Sequence, residues 1–174
     1  MKLNALNEKL RKIKLLAMDI DGTLTDASLY YSETGELLKR FSTRDGMGIT
    51  LLHKGGIETA IVTSENSPIV TARAKKLNIK NVILGSHDKS NSLVELAGKL
   101  GIEIENIAFL GDDVNDYHAL GIAGFSACPS DAVTKIQERV DYICKTAGGH
   151  GAAREVAEMI LLSQDKSIIL NENW

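Results

Sequence analysis

Ile13-Lys14-Leu15-Leu16-Ala17-Met18-Asp19-Ile20-Asp21-Gly22-Thr23-Leu24-Thr25-Asp26 is an apolar run that ends in two carboxylates, one residue apart, directly before Gly-Thr. Ile13 to Ile20 reads as a buried strand interrupted only by Lys14 and Asp19. A strand ending this way carries acid to the edge of a sheet. Such a placement is unfavourable unless a metal or a cation compensates it. An Asp-x-Asp-Gly sequence by itself is more often a polar strand end followed by a turn, so the rest of the chain has to decide its meaning.

Working outward, strand-like and helix-like segments alternate. Ser28-Leu29-Tyr30-Tyr31 and Leu37-Leu38-Lys39-Arg40-Phe41 flank a turn containing Gly35, which predicts a β-hairpin over about 27–42. Asp45 is expected to N-cap a helix that stops at Gly55-Gly56. A strand over Ile57 to Thr63 follows, and Ser67-Pro68 supplies an N-cap and a first-turn proline for a helix to about Leu77. Further strands are expected at Val82 to Leu84, Ile107 to Leu110, Phe125 to Cys128 and Tyr142 to Cys144. Helices are expected at Ser90 to Leu100, Asn115 to Leu120, Asp131 to Val140 and Gly151 to Leu162. The tail after about residue 163 is polar apart from Ile168 to Leu170, and reads as disordered or as docking on a neighbour.

This alternation predicts an α/β fold: an open, mostly parallel sheet of Rossmann type with helices on both faces, spanning 1–174 as a single domain. Right-handed crossovers bring all strand C-terminal ends to one edge. Three polar clusters then meet there: Asp19 and Asp21, Thr63 and Ser64, and Asp112 and Asp113. Lys89, at the start of a helix, joins them. A Lys at a helix N-terminus opposes the helix dipole, which argues for a functional reason.

Composition narrows the partners. The chain has 174 residues, 44% hydrophobic and 25% charged, with a formal net charge of -3 and no Lys/Arg block. These values suit one soluble globular domain and disfavour nucleic acid. Cys128 and Cys144 lack metal-ligand spacing and read as buried thiols of a cytoplasmic protein. No signal-peptide core or membrane-length apolar run is present in the sequence.

The chemistry of the clustered residues is that of phosphoryl transfer. Acidic oxygen ligands at a sheet edge suit Mg²⁺, which keeps several of its waters. A Lys and a Thr hydroxyl suit the phosphoryl oxygens. One carboxylate can attack phosphorus while a second protonates the leaving oxygen and then activates water.

Taken together, Asp19-x-Asp21-Gly22-Thr23-Leu24-Thr25-Asp26, Thr63, Lys89 and Gly111-Asp112-Asp113-x-x-Asp116 resemble the phosphatases of the haloacid dehalogenase superfamily, in that family's order. The resemblance implies Asp19 as nucleophile and Asp21 as general acid/base. It implies Mg²⁺ held by Asp19, the Asp21 carbonyl and Asp112, with Asp113 and Asp116 supporting. It also implies phosphate bound by Thr63 and Lys89, with Ser64, Glu65 and Asn115 as further candidate substrate- or phosphate-binding residues. Between the first two motifs there is room for the hairpin and one helix but not for a cap domain. That is similar to the capless subfamily acting on phosphates of 2-keto-3-deoxy sugar acids, either 3-deoxy-manno-octulosonate 8-phosphate or nine-carbon (KDN or N-acylneuraminate) 9-phosphates.

That subfamily implies a homotetramer built on the hairpins, with a neighbour's C-terminal segment closing the site. Thr43-Arg44-Asp45-Gly46, Arg73-Ala74 and Gly148 to Glu155 are similar to it. Arg44, Arg73 and Arg154 are therefore substrate clamps or surface ion-pair partners. Ser64-Glu65, where many octulosonate phosphatases carry Gly-Arg, resembles the nine-carbon branch, as does Tyr142-Ile143-Cys144-Lys145. Two readings of other classes remain beside the phosphatase: a receiver-type phospho-signalling domain and a non-catalytic oligomerisation module on the same fold.

Overall fold

The computed structural model describes residues 2–170. A helix, α1 (Lys2–Arg11), leads into β1 (Leu15–Met18), then the hairpin β2 (Thr25–Ser32) and β3 (Gly35–Phe41). Next come α2 (Thr43–Lys54), β4 (Glu58–Val62), α3 (Pro68–Lys76), β5 (Asn81–Ile83) and α4 (Lys89–Leu100). The remainder is β6 (Ile107–Leu110), α5 (Tyr117–Ile122), β7 (Phe125–Cys128), α6 (Thr134–Gln137), β8 (Tyr142–Ile143) and α7 (Ala152–Ser163). No cap domain interrupts the series.

Six strands form one parallel sheet in the order β5-β4-β1-β6-β7-β8. Apolar alternation within β1 sends Leu16 and Met18 to one face and Leu15 and Ala17 to the other. The first face packs on α1, α2, α3 and α7, and the second on α4, α5 and α6. All four β1 residues are fully buried, as expected of a strand covered on both sides. After β1 the chain builds outward through β4 and β5, then crosses back to β6 on the other side of β1. A crevice therefore opens beyond the C-terminal ends of β1 and β6, where open α/β sheets place their ligands.

Several expected elements differ in instructive ways. Ser42, not Asp45, N-caps α2: its hydroxyl accepts the Arg44 amide at 3.1 Å. Asp45 lies buried within the first turn and serves another helix, accepting the amides of Gly151 and Arg154 at 3.1 Å each. Pro68 does open α3, but the Ser67 hydroxyl makes no cap bond; it donates to Glu36 of the hairpin at 2.7 Å. The predicted helix over Asp131 to Val140 shrinks to Thr134–Gln137. The one over Asn115 to Leu120 becomes a 3-10 turn, Val114–Asp116, followed by α5. The opening helix α1 went unforeseen because its run is mostly polar; Leu10 is fully buried, with Leu6 packed beside the core.

The segment after α7 turns back on its own chain through Leu170. The Gln164 side chain donates to the carbonyls of Leu10 and Ile13, and Ile168 and Leu170 rest against the core. Expectations for residues 171–174 lie outside the described residues. Cys128 and Cys144 are buried free thiols, and no helix among the described residues is long and apolar enough to cross a membrane.

Candidate active site

The end of β1 is shaped by a tight loop. The Ile20 carbonyl accepts the amides of Thr23, Leu24 and Thr25, and Gly22 adopts φ +82°. A side chain at Gly22 would overlap the Asp112 carboxylate, so glycine is required here both by conformation and by space. The loop is braced from behind by the segment before α7. The Gly149 amide donates to the Thr23 carbonyl, and any Cβ at Gly148 would strike the Gly22 carbonyl. The Asp19 amide in turn donates to the Leu110 carbonyl at 3.0 Å, which places the ends of β1 and β6 side by side.

Three carboxylates meet in this crevice. Oxygens of Asp19, Asp112 and Asp116 lie within 4.8 Å of one another. Lys89, 3% exposed, enters from the start of α4, its Nζ 2.9 Å from Asp19 Oδ1 and 2.6 Å from Asp116 Oδ1. Asp116 is fully engaged, since its second oxygen accepts the amides of Asp112 and Asp113. Asp112 receives the Thr23 hydroxyl at 3.0 Å.

Burial pushes the Asp19 carboxyl up to about 7, Asp116 adding to the effect and Lys89 opposing it. Burial likewise lifts Asp112 to about 8, helped by Asp19 and Asp116. Burial works against the charge on Lys89, but Asp19 and Asp116 outweigh it and hold its pKa above the ordinary value. Among the described residues the cluster thus sets three carboxylates against one ammonium, which pairs with Asp19 and Asp116 but not with Asp112. An all-oxygen, net-negative cluster fits a hard divalent cation.

The other expected site residues occupy several positions. Thr63 is buried at the end of β4, beside β1, and its hydroxyl accepts the Glu65 amide at 3.3 Å. Asn115 reaches across to the Ser64 hydroxyl at 3.5 Å, bringing the β4 and β6 loops together. A cavity of about 420 Å³ lined by His87, Lys89 and Asn115 opens beside them. Asp113 closes the 3-10 turn that carries Asp116, accepting the Val114 amide at 2.6 Å in a reciprocal capping box.

The three arginines have partners of their own. Arg73 donates to the Ser42 carbonyl at 2.9 Å and lies over the Phe41 ring, lining a larger cavity of about 590 Å³ between α2 and α3. Arg154 binds Glu158 at 2.6 Å. Arg44 is exposed and lines a cavity with Arg40 and His150. That the 590 Å³ cavity lies away from the carboxylates carries little weight, since crevice chemistry and not volume identifies the site.

One close neighbour of the site was not foreseen. Lys39 of β3 is buried and places Nζ 2.7 Å from Asp21 Oδ1 and 2.7 Å from Glu36 Oε1. In the sequence it is one Lys among the alternating residues of a hairpin, where a solvated side chain is the ordinary expectation.

Residues 60–156 match the profile of the haloacid dehalogenase-like hydrolases. The 3-deoxy-D-manno-octulosonate 8-phosphate phosphatase of Haemophilus influenzae is 37% identical over 166 residues, covering 95% of this chain and 92% of its own length. This chain belongs to the haloacid dehalogenase-like hydrolases. The enzyme of the same name from Escherichia coli K12 is 39% identical over 158 residues, covering 91% of this chain and 84% of that protein. Among solved structures, the octulosonate 8-phosphate phosphatase of Moraxella catarrhalis, in complex with magnesium, phosphate and KDO, superposes with a TM-score of 0.91. It is 41% identical and covers 94% of both chains. The six-stranded parallel sheet of this chain, without a cap domain, matches the fold of that octulosonate 8-phosphate phosphatase structure.

Proposed function

We propose that this hydrolase is a Mg²⁺-dependent phosphatase of 3-deoxy-D-manno-octulosonate 8-phosphate. The observation that carries the reading is the buried convergence of Asp19, Asp112 and Lys89 at the ends of β1 and β6. The relatives of that name, similar along nearly the whole chain, support the substrate.

Asp19 and Asp112 would hold magnesium together with the Asp21 main-chain carbonyl, and the bound ion supplies neutralisation of phosphoryl charge. An Asp19 oxygen attacks phosphorus, and the bond from phosphorus to the sugar oxygen breaks. Asp21, protonated, gives its proton to that departing oxygen. Lys89 and Thr63 hold the phosphoryl oxygens, with Ser64 and Asn115 at the rim and Asp116 fixing Lys89. Asp21, now ionised, takes a proton from water; the hydroxyl oxygen bonds to phosphorus, the Asp19–phosphorus bond breaks, and inorganic phosphate leaves. Asp19 and Asp21 share one loop, whereas a receiver domain separates its acidic pair and its phosphorylated Asp onto different strands.

Glu65 favours a second reading, a nine-carbon 9-phosphate, because an acidic residue stands where many octulosonate phosphatases carry Arg. Tyr142 lends that reading less, since its hydroxyl is taken up by Glu155 at 2.7 Å. We further infer a homotetramer built on the hairpins, with a neighbour's C-terminal segment near the site, and a cytoplasmic enzyme in keeping with two free thiols.

The deciding experiment measures phosphate release with Mg²⁺ from the octulosonate 8-phosphate and the nine-carbon 9-phosphates side by side, with Asp19→Asn as control. Preference for the eight-carbon substrate, lost in Asp19→Asn, is expected. Turnover retained by Asp19→Asn would remove the nucleophile, and a nine-carbon preference would replace the substrate.

A further inference from the structure

Lys39 is the least expected charge in the molecule. It projects from the middle of a largely exposed two-stranded ribbon, yet its own side chain is only 1% exposed. Both carboxylates it meets are better exposed, Asp21 at 26% and Glu36 at 17%. Glu36 Oε1 accepts from Lys39 at 2.7 Å, while Oε2 accepts the Ser67 hydroxyl at 2.7 Å. Ser67 sits just before α3, in the loop that follows β4 and Thr63. A continuous line of contacts therefore runs Ser67–Glu36–Lys39–Asp21, from the main domain through the hairpin and back to the reaction centre.

The geometry points to Lys39 as a positioning residue: it fixes the Asp21 carboxylate through Oδ1, leaving Oδ2 to serve the leaving oxygen, while Glu36 and Ser67 fix Lys39. This rests on the reading of Asp21 as the general acid. Asp21 needs such help. It lies in a loop, it is partly exposed, and the one other side-chain donor bonded to it among the described residues, the Thr25 hydroxyl, stands 3.5 Å away and bonds the Ile20 carbonyl as well. A carboxylate free to rotate spends little time in the orientation that proton transfer requires. A cation on the same atom removes that freedom, and it stays buried because two carboxylates share it. The hairpin is thus joined to the acid/base step and does more than offer an interface.

Leaving-group dependence tests this. A sugar alkoxide needs a proton as it departs, whereas p-nitrophenolate does not, so only the first substrate depends on an oriented Asp21. kcat/KM covers substrate binding through formation of the aspartyl-phosphate, and excludes its hydrolysis; it is compared for octulosonate 8-phosphate and p-nitrophenyl phosphate. Lys39→Met is expected to lower kcat/KM on the sugar phosphate by on the order of 100-fold, with a change below about threefold on the aryl phosphate. Lys39→Arg should recover most of the loss, and Asp21→Asn should show the same selectivity more strongly. Should Lys39→Met fail to fold, Lys39→Met/Glu36→Gln, which also removes the carboxylate that Lys39 would leave unpaired in the hairpin, reads the same ratio. An equal loss on both substrates, or no loss on either, overturns the inference. Wild-type protein inactive on every alkyl phosphate would instead overturn the phosphatase reading itself.

Discussion

The buried carboxylate of Asp45 accepts the backbone amide of Arg154 at 3.1 Å, so a residue inside one helix caps another. Its other oxygen accepts the Gly151 amide. Two N–H groups at the start of α7, which have no partners within their own helix, are satisfied this way. Asp45→Ala leaves both unpaired and buried. The expected loss is about 2 kcal/mol of folding stability, read by urea denaturation at constant m-value. A change below about 0.5 kcal/mol would show that water replaces the carboxylate without difficulty.

Gly22→Ala should separate metal binding from folding. The new methyl group must displace the Asp112 carboxylate, and the backbone must hold φ +82° with a side chain. Strain of this kind costs about 1 kcal/mol, which the fold can absorb. The displaced Asp112 cannot be absorbed: the Mg²⁺ concentration giving half-maximal activity should rise at least about tenfold, equivalent to about 1.4 kcal/mol. An unchanged Mg²⁺ titration would exclude Asp112 as a ligand.

Stability should depend on pH differently with and without metal. Burial raises Asp19 from 3.8 to about 7 and Asp112 from 3.8 to about 8. Groups raised in the folded state stabilise it while protonated. That contribution is whole below about pH 4 and is lost as pH rises through about 7 to 8. Metal-free protein should therefore melt at progressively lower temperature across this window. Magnesium binds the ionised carboxylates, so the increment in melting temperature on adding it should grow over the same window. Thermal melts in EDTA and in excess Mg²⁺ give both slopes, and an increment independent of pH would contradict the assignment.

Asp19→Asn carries a second consequence beyond lost turnover. It removes one buried acidic group while Lys89 keeps Asp116 as partner. Metal-free Asp19→Asn should be more stable than the parent at pH 8 by about 1–2 kcal/mol, with a flatter pH profile. Equal or lower stability would mean that the Asp19–Lys89 contact outweighs the cost of the buried carboxylate.

The hairpin leaves Leu29, Tyr30, Tyr31, Leu37 and Leu38 between 46% and 65% exposed. Tyr30 and Leu38 stand opposite each other across its two strands. The double substitution Tyr30→Glu/Leu38→Glu should lower the molecular mass seen by light scattering from four chains, with the circular dichroism spectrum retained. A parent protein that already scatters as one chain would remove the tetramer.

What could be read from the chain follows the range of the interactions. β1, β6 and β7 were legible because strands buried on both faces are short apolar runs. Asp19, Asp112 and Lys89 were legible because they lie at strand or helix ends in recurring local patterns. Asp45 was misread because the amides it serves are more than a hundred residues away, and a capping residue looks the same whichever helix it caps. Ser67 is the N-cap residue of α3 as expected, but the use of its hydroxyl was not legible, because its partner Glu36 comes from the hairpin. Lys39 gave no signal at all: its burial depends on Asp21 and Glu36 closing around it, which alternation along a strand cannot show.

Gly148 and Gly149 press against the loop of Gly22 to Thr25, so the first part of the site to be synthesised is held in shape by one of the last. A nascent chain on the ribosome that has exposed β1 through β7 already carries Asp19, Lys89 and Asp112, yet has nothing behind the loop that presents Asp19. Catalytic competence is then expected only once the glycine segment and α7 have emerged. A chain cut short before Gly148 is expected to keep these carboxylates and to show no turnover.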